Sequence, residues 1–286
     1  MKMKCTASGV LAVCTVAQVV HTLPEGELVW GVTSLDGEIY LLRRQERDEI
    51  EVYDAITYRL RRCLTVPDAQ GFADMSSCER HRCLYVADPI LTCIHRLDST
   101  GKATRWAVDD KPYGISVNQK LNVLVACPAG GRVKEFSSRG DLVRCLTLPG
   151  DLVNPWHAVQ LTNGSFLVCH GEAPDPIHRV TAVSEDGRHI VQSHGGQPGS
   201  DVGQYNVPRH LAVDTDQSIF VADVNNRRVT WLSASVEYLG QVVAGDQLKW
   251  RPRRLHLDVE RRRLYVADNE WKDGHFSAGR VVVFSV

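Results

Sequence analysis

Apolar residues in this chain come in short runs rich in β-branched and aromatic side chains, separated by small polar turns. The stretch VPRHLAVDTDQSIFVADVNNRRVTWLS (207–233) shows the form. A proline opens one apolar run, a polar turn leads to a second, and an Asn-rich corner leads to a third. The same opening recurs as KPYGISV, NPWHAVQL and RPRRLHL, and without proline as VWGVTSL and QGFADMS. Aligning these puts Gly31, Gly71, Gly114, His157, His210 and Arg254 at one recurring position, roughly 40 to 50 residues apart. Second runs follow as EIYLL, CLYVAD, NVLVAC, SFLVCH, SIFVAD and RLYVAD, and third runs as IEVYD, IHRLD, VKEFS, IHRV, VTWLS and VVVFS. A more polar fourth run closes the units, as in RLRRCLTVP and LVRCLTLP, and LDGE, STGK, SRGD and TNGS supply turns.

Four strands per unit at this period predict an all-β fold, a six-bladed β-propeller of four-stranded antiparallel blades. The blades are expected at about 28–66, 70–108, 111–149, 153–195, 205–245 and 249–286, in one domain spanning 16–286 after a tail at 1–15. The sixth unit stops at RVVVFSV, without a fourth run. Residues 16–24, VAQVVHTLP, resemble the fourth run LVRCLTLP, so an N-terminal strand is expected to complete the last blade and remove open edges.

The corner after the second run carries charge. Asp223, Asn226 and Arg228 form an expected corner pair, in which Asn suits the left-handed backbone and the carboxylate faces a guanidinium. Arg43 and Glu49 read as its charge-reversed counterpart, Asp268 and Arg280 bracket a long insertion, and the fourth unit, with His170 and Pro176, shows no pair. These are read as structural residues. Loops at 149–155, 194–207 and 269–279 are the expected places for specificity.

Composition narrows function only a little. The chain is 43% hydrophobic and 23% charged with a net charge of −1, which gives no global attraction to nucleic acid or membrane. No run is long enough to span a bilayer. Nine cysteines, none in a Cys-x-x-Cys pair, sit mostly in apolar runs and read as reduced thiols of a cytoplasmic protein. The N-terminus carries a faint likeness to a secretory signal, and secretion is the minority reading.

The strand–corner–strand pattern of 207–233, preceded by the glycine-rich GGQPGSDVGQYNVP, resembles an NHL repeat. That resemblance implies a six-bladed propeller, as at the C-terminal ends of tripartite-motif ubiquitin ligases and their RNA-regulating relatives. It is close over 195–245, good over 109–149 and 249–286, and faint in the first two units. His157, His210 and Arg254 stand where such repeats open on glycine, and the chain has no RING or B-box cysteine spacing. Ligase chemistry therefore does not come with the fold.

In a propeller the residues just before the recurring position ring the channel on one face. Here they are Trp30, Gln70, Tyr113, Trp156, Arg209 and Arg253, with Lys111, Lys249, Trp250 and Arg254 beside them and Arg43, Arg44 and Asn225 further out. Aromatics interleaved with arginine suit a protein or peptide ligand, and equally stacked bases of single-stranded RNA. A non-catalytic, monomeric recognition module without cofactor or membrane contact is the expected function, with a protein or peptide partner ahead of RNA. A zinc-dependent, lyase-like or hydrolase-like enzyme is the remaining alternative, with His157, His170 and His210 as candidate ligands. Signatures of serine hydrolases, His-Glu-x-x-His metalloproteases and P-loops are absent.

Overall fold

The apolar runs resolve into six four-stranded antiparallel sheets, five with their strands in sequence order and one in which the N-terminal strand lies outside the last three. The structure is a computed structural model that describes residues 16–43, 49–98 and 100–286; the expected tail at 1–15 and the corner residue Arg44 lie outside the described residues. No helix among the described residues is long and apolar enough to cross a membrane. The first strands touch one another in a closed ring around the axis, so the sheets are the blades of a propeller.

Position in the blade explains the sequence of each strand. Second strands are sandwiched between neighbouring blades and are buried along their whole length, as in Glu38–Arg43, Cys83–Asp88 and Ile219–Asp223. Covered on both faces, they read as unbroken apolar runs rather than alternating ones. Outer strands such as Leu60–Thr65 and Ala103–Ala107 are largely exposed, which explains their polar composition. A separate apolar cluster fills each of the six gaps between adjacent blades.

The ring closes as expected. Gln18–Thr22 pairs antiparallel with His275–Ser285 and becomes the fourth strand of blade six. Leu23 follows it into the core, fully buried, with its amide donating to the Val281 carbonyl. The Arg43 guanidinium locks this segment by donating to the carbonyls of Pro24, Glu27 and Gly279.

Register fixes the recurring position. Gly31, Gly114, His157, His210 and Arg254 each pair with the second-strand residue just before the corner. In blade two that partner is Ala87, and it pairs with Asp74, not with Gly71. The residue before it is Ala73, so Gln70 drops out of the ring. At Gly114 the glycine is required, because a Cβ there would strike the Trp156 carbonyl of the next blade.

Three further expectations need correction. Residues 269–279 are no loop: strands Arg263–Lys272 and His275–Ser285 continue past the blade as a hairpin with a turn at Asp273–Gly274. Arg43 pairs with Glu51 at 2.6 Å rather than with Glu49. Glu49 lies directly opposite Arg43 in the ladder, and the long side chain reaches the diagonal neighbour instead. Blade four does have a corner pair, because Arg179 donates to His170 at 3.1 Å and meets Asp151.

Candidate functional site

A register slip in four blades makes the channel mouth. Between first and second strands the pairing skips one residue at Val29/Gly31, Pro155/His157, Pro208/His210 and Pro252/Arg254. The extra residues are Trp30, Trp156, Arg209 and Arg253. A β-bulge re-aims its side chain, and all four of these line one cavity. Three of the bulges follow a proline, which opens the strand at Pro155 and Pro208 and is its second residue at Pro252.

The cavity measures about 690 Å³. Glu27, Leu28, Tyr113 and Glu172 add to its wall, and Trp271, His275, Phe276 and Ser277 of the blade-six hairpin lean over it. Trp271 and Phe276 meet edge to face with ring centres 4.7 Å apart, and Tyr113 meets Trp156 in the same way at 5.5 Å.

Its two arginines differ in how they are partnered. Arg209 lies 3.6 Å over the Trp156 ring and bonds Glu172 at 3.0 Å. Arg253 is held between Trp30 at 4.2 Å and Phe276 at 4.3 Å. Its Nε and Nη1 are buried without a hydrogen-bond partner among the described residues, and only 4% of the residue is exposed. Burial, with Arg209 and Arg254 adding repulsion, pushes the Arg253 guanidinium well below the usual arginine range. The Trp30 and Trp156 indole N–H groups are likewise buried and unpaired among the described residues. The mouth thus presents donors and positive charge within an aromatic frame, a setting that favours an anionic acceptor.

Below the mouth, Arg254, Asp74, His157 and His210 plug the channel. Arg254 Nε meets Asp74 Oδ1 at 3.0 Å, His210 Nε2 meets Asp74 Oδ2 at 3.2 Å, and the Ile115 amide donates to the same oxygen. His157 and His210 stack with ring centres 3.7 Å apart. Burial alone would raise the Asp74 carboxyl, but Arg254 and His210 overcome it and hold the group below its ordinary value. A second cavity of about 350 Å³, lined by His157, His210 and His256, opens on the other side of the plug.

The ring expected from sequence is therefore mostly one surface: Trp30, Tyr113, Trp156, Arg209 and Arg253 come together. Arg254 does not join them, because it is 3% exposed and committed to Asp74. Lys111 is exposed outside the cavity lining, and Trp250 packs under Lys249, 4.4 Å from its ammonium. Nor do His157, His170 and His210 form one metal set, since His170 is engaged by Thr181 and Arg179. Asp74 groups with His157 and His210 instead, and a cation there would face the Arg254 guanidinium. The residues missed in the sequence are Asp74, Glu172 and the hairpin aromatics. The signals were present: VAD closes the second strands of blades two, five and six, and counting back across that hairpin reaches Asp74. Asp273-Gly274 between two polar–aromatic runs is a hairpin turn pair.

An alignment 136 positions long, covering 42% of this chain, is 27% identical to the Homo sapiens NHL repeat-containing protein 3. The chain is similar to an NHL-repeat protein. The match spans 38% of that relative's length, and no family model matches the chain. Among solved structures, the Staphylococcus aureus virginiamycin B lyase with quinupristin superposes with a TM-score of 0.64 at 12% identity, covering 94% of this chain and 98% of that one. A nidogen/laminin complex matches with a TM-score of 0.64 at 11% identity, covering 80% of this chain and 84% of that one; at such identities the likeness shows the propeller fold alone.

Proposed function

We propose that the chain is a recognition module whose channel mouth takes a protein segment carrying a carboxylate, by binding rather than catalysis. The observation that carries this reading is Arg253, a buried guanidinium framed by Trp30 and Phe276 with two donor nitrogens left unpaired among the described residues. Leaving such donors unmet costs about 1–3 kcal/mol or more, and an incoming carboxylate recovers it through charge-assisted bonds. The surrounding Trp30, Trp156 and Tyr113 supply rigid aromatic area of the kind that anchors a peptide at the centre of an interface. A peptide library selected on the purified protein tests this. Enriched sequences are expected to carry Asp, Glu or a free C-terminus, and binding is expected to vanish in Arg253→Met. Enrichment without acidic character would refute it.

Single-stranded RNA is the second reading, favoured by the cation–ring pairs on the rim, Lys249 over Trp250 and Arg251 over Trp271. Binding that falls steeply with salt and disappears after nuclease treatment would select it over a peptide.

A further inference from the structure

Five blade corners are closed by a cation in an ion pair. Arg228 meets Asp223 at 2.8 Å, Arg280 meets Asp268 at 2.9 Å, and Arg43 meets Glu51 at 2.6 Å. Lys134 meets Asp109 in blade three, and Arg179 meets Asp151 in blade four. Blade two departs from this rule. Asp88 occupies the place of Asp223 and Asp268 and is fully buried, yet the residue opposite it is Cys93, where Arg228 and Arg280 stand in their blades. Among the described residues, the one side chain within ion-pair range of Asp88 is His95.

The three side chains converge. His95 Nε2 lies 3.4 Å from Asp88 Oδ2 and 3.4 Å from Cys93 Sγ, and the donor atoms all fall within 4.8 Å of one another. The nitrogen–oxygen separation is long for a hydrogen bond, while the nitrogen–sulfur one is ordinary for a contact to sulfur. They match the spacing of neighbouring ligands on a tetrahedral centre, where bonds of about 2.0–2.3 Å put donors about 3.3–3.7 Å apart. We propose that Asp88, Cys93 and His95 bind a divalent cation of the zinc class, which replaces the side-chain cation that closes this corner in the other blades.

The donor chemistry agrees, since one imidazole nitrogen, one thiolate and one carboxylate oxygen suit zinc better than calcium or magnesium. The carboxylate is already oriented, because Asp88 accepts the backbone amides of Gln70, Ile90 and Leu91. Metal binding displaces the Cys93 thiol proton to solvent. The donor atoms of Asp74, His157 and His210 lie equally close, but Asp74 there pairs with the Arg254 guanidinium, whereas among the described residues no guanidinium or ammonium pairs with Asp88. The bound ion ties the second and third strands of blade two to the segment at Gln70 that leads into its first strand.

The test is refolding of the purified full chain from chelator with added Co²⁺. A thiolate-to-cobalt absorption saturating at one equivalent, displaced by Zn²⁺, is expected. Cys93→Ser is expected to lose it, while Cys63→Ser and Cys145→Ser, which alter exposed thiols, keep it. No saturable signal in the wild type, or one that survives Cys93→Ser, overturns the proposal. Should the single variant fail to fold, Cys93→Arg with His95→Thr transplants the blade-five corner. That double variant is expected to fold without cobalt absorption, and absorption there overturns the proposal as well.

Discussion

Arg254 of blade six reaches across the channel to Asp74 of blade two, Nε to Oδ1 at 3.0 Å, with blade one standing between them in the ring. Its neighbour Arg253 makes no such pair among the described residues. Two adjacent buried arginines are thus set apart by one step of a β-bulge, one held inside the protein and one turned to the mouth.

These two arginines should respond oppositely to the same change. Arg254→Met leaves Asp74 as a buried charge without its guanidinium and should cost about 3–5 kcal/mol. Arg253→Met removes an unpaired buried charge and should be neutral or stabilising. Urea unfolding of both variants checks the contrast, and equal losses would contradict the assignment.

The blade-six hairpin should matter for binding more than for folding. Phe276 covers Arg253 at 4.3 Å from outside the blade core. Phe276→Ala is expected to change stability by less than about 1 kcal/mol and to weaken ligand binding by about tenfold or more. Thermal unfolding and titration with a selected peptide measure the two effects.

Ring closure rests on a short strand and one side chain. Leu23, fully buried between blades one and six, should cost about 2–5 kcal/mol when changed to Ala. A loss much below that range would mean that the N-terminal strand contributes little to holding the ring shut.

Acid should destabilise the fold in a defined window. Burial lowers the imidazoles of His170 and His256 to about 4, with Arg179 adding to the effect at His170 and Asp258 opposing it at His256. In the unfolded chain these groups titrate near about 6.5, so between about 6.5 and about 4 the unfolded state binds protons that the folded state does not. Stability is therefore full above about 6.5 and falls as pH drops through the window, by up to about 1.4 kcal/mol per pH unit for each group. His256 Nε2 accepts the Ser34 amide at 3.0 Å, a bond that protonation abolishes. Urea midpoints measured across the window should fall in the wild type and fall less steeply in His256→Gln.

Much of this architecture was legible because propeller strands carry their position in their composition. Fully buried second strands such as CLYVAD and SIFVAD announce themselves, and the missing fourth run of the last unit points to Gln18–Thr22. The ring at the mouth was legible for a related reason, since a proline two residues before His157, His210 and Arg254 marks each bulge. Blade two lacks that proline, and Gly71 drew the alignment three residues away from Asp74. The hairpin was hidden because Glu270–Ser277 leaves the blade, so neither face is buried in the core and no apolar alternation survives. Glu172 and Arg179 could not be placed, because their roles depend on contacts between segments far apart in sequence, Arg209 and Asp151.

The most direct measurement of the central claim compares the proteins that co-purify from nuclease-treated cells with the wild-type chain and with Arg253→Met. Partners retained by the wild type and lost from an equally stable variant are predicted. Identical partner sets on both proteins, or recovery of RNA alone before nuclease treatment, would contradict it.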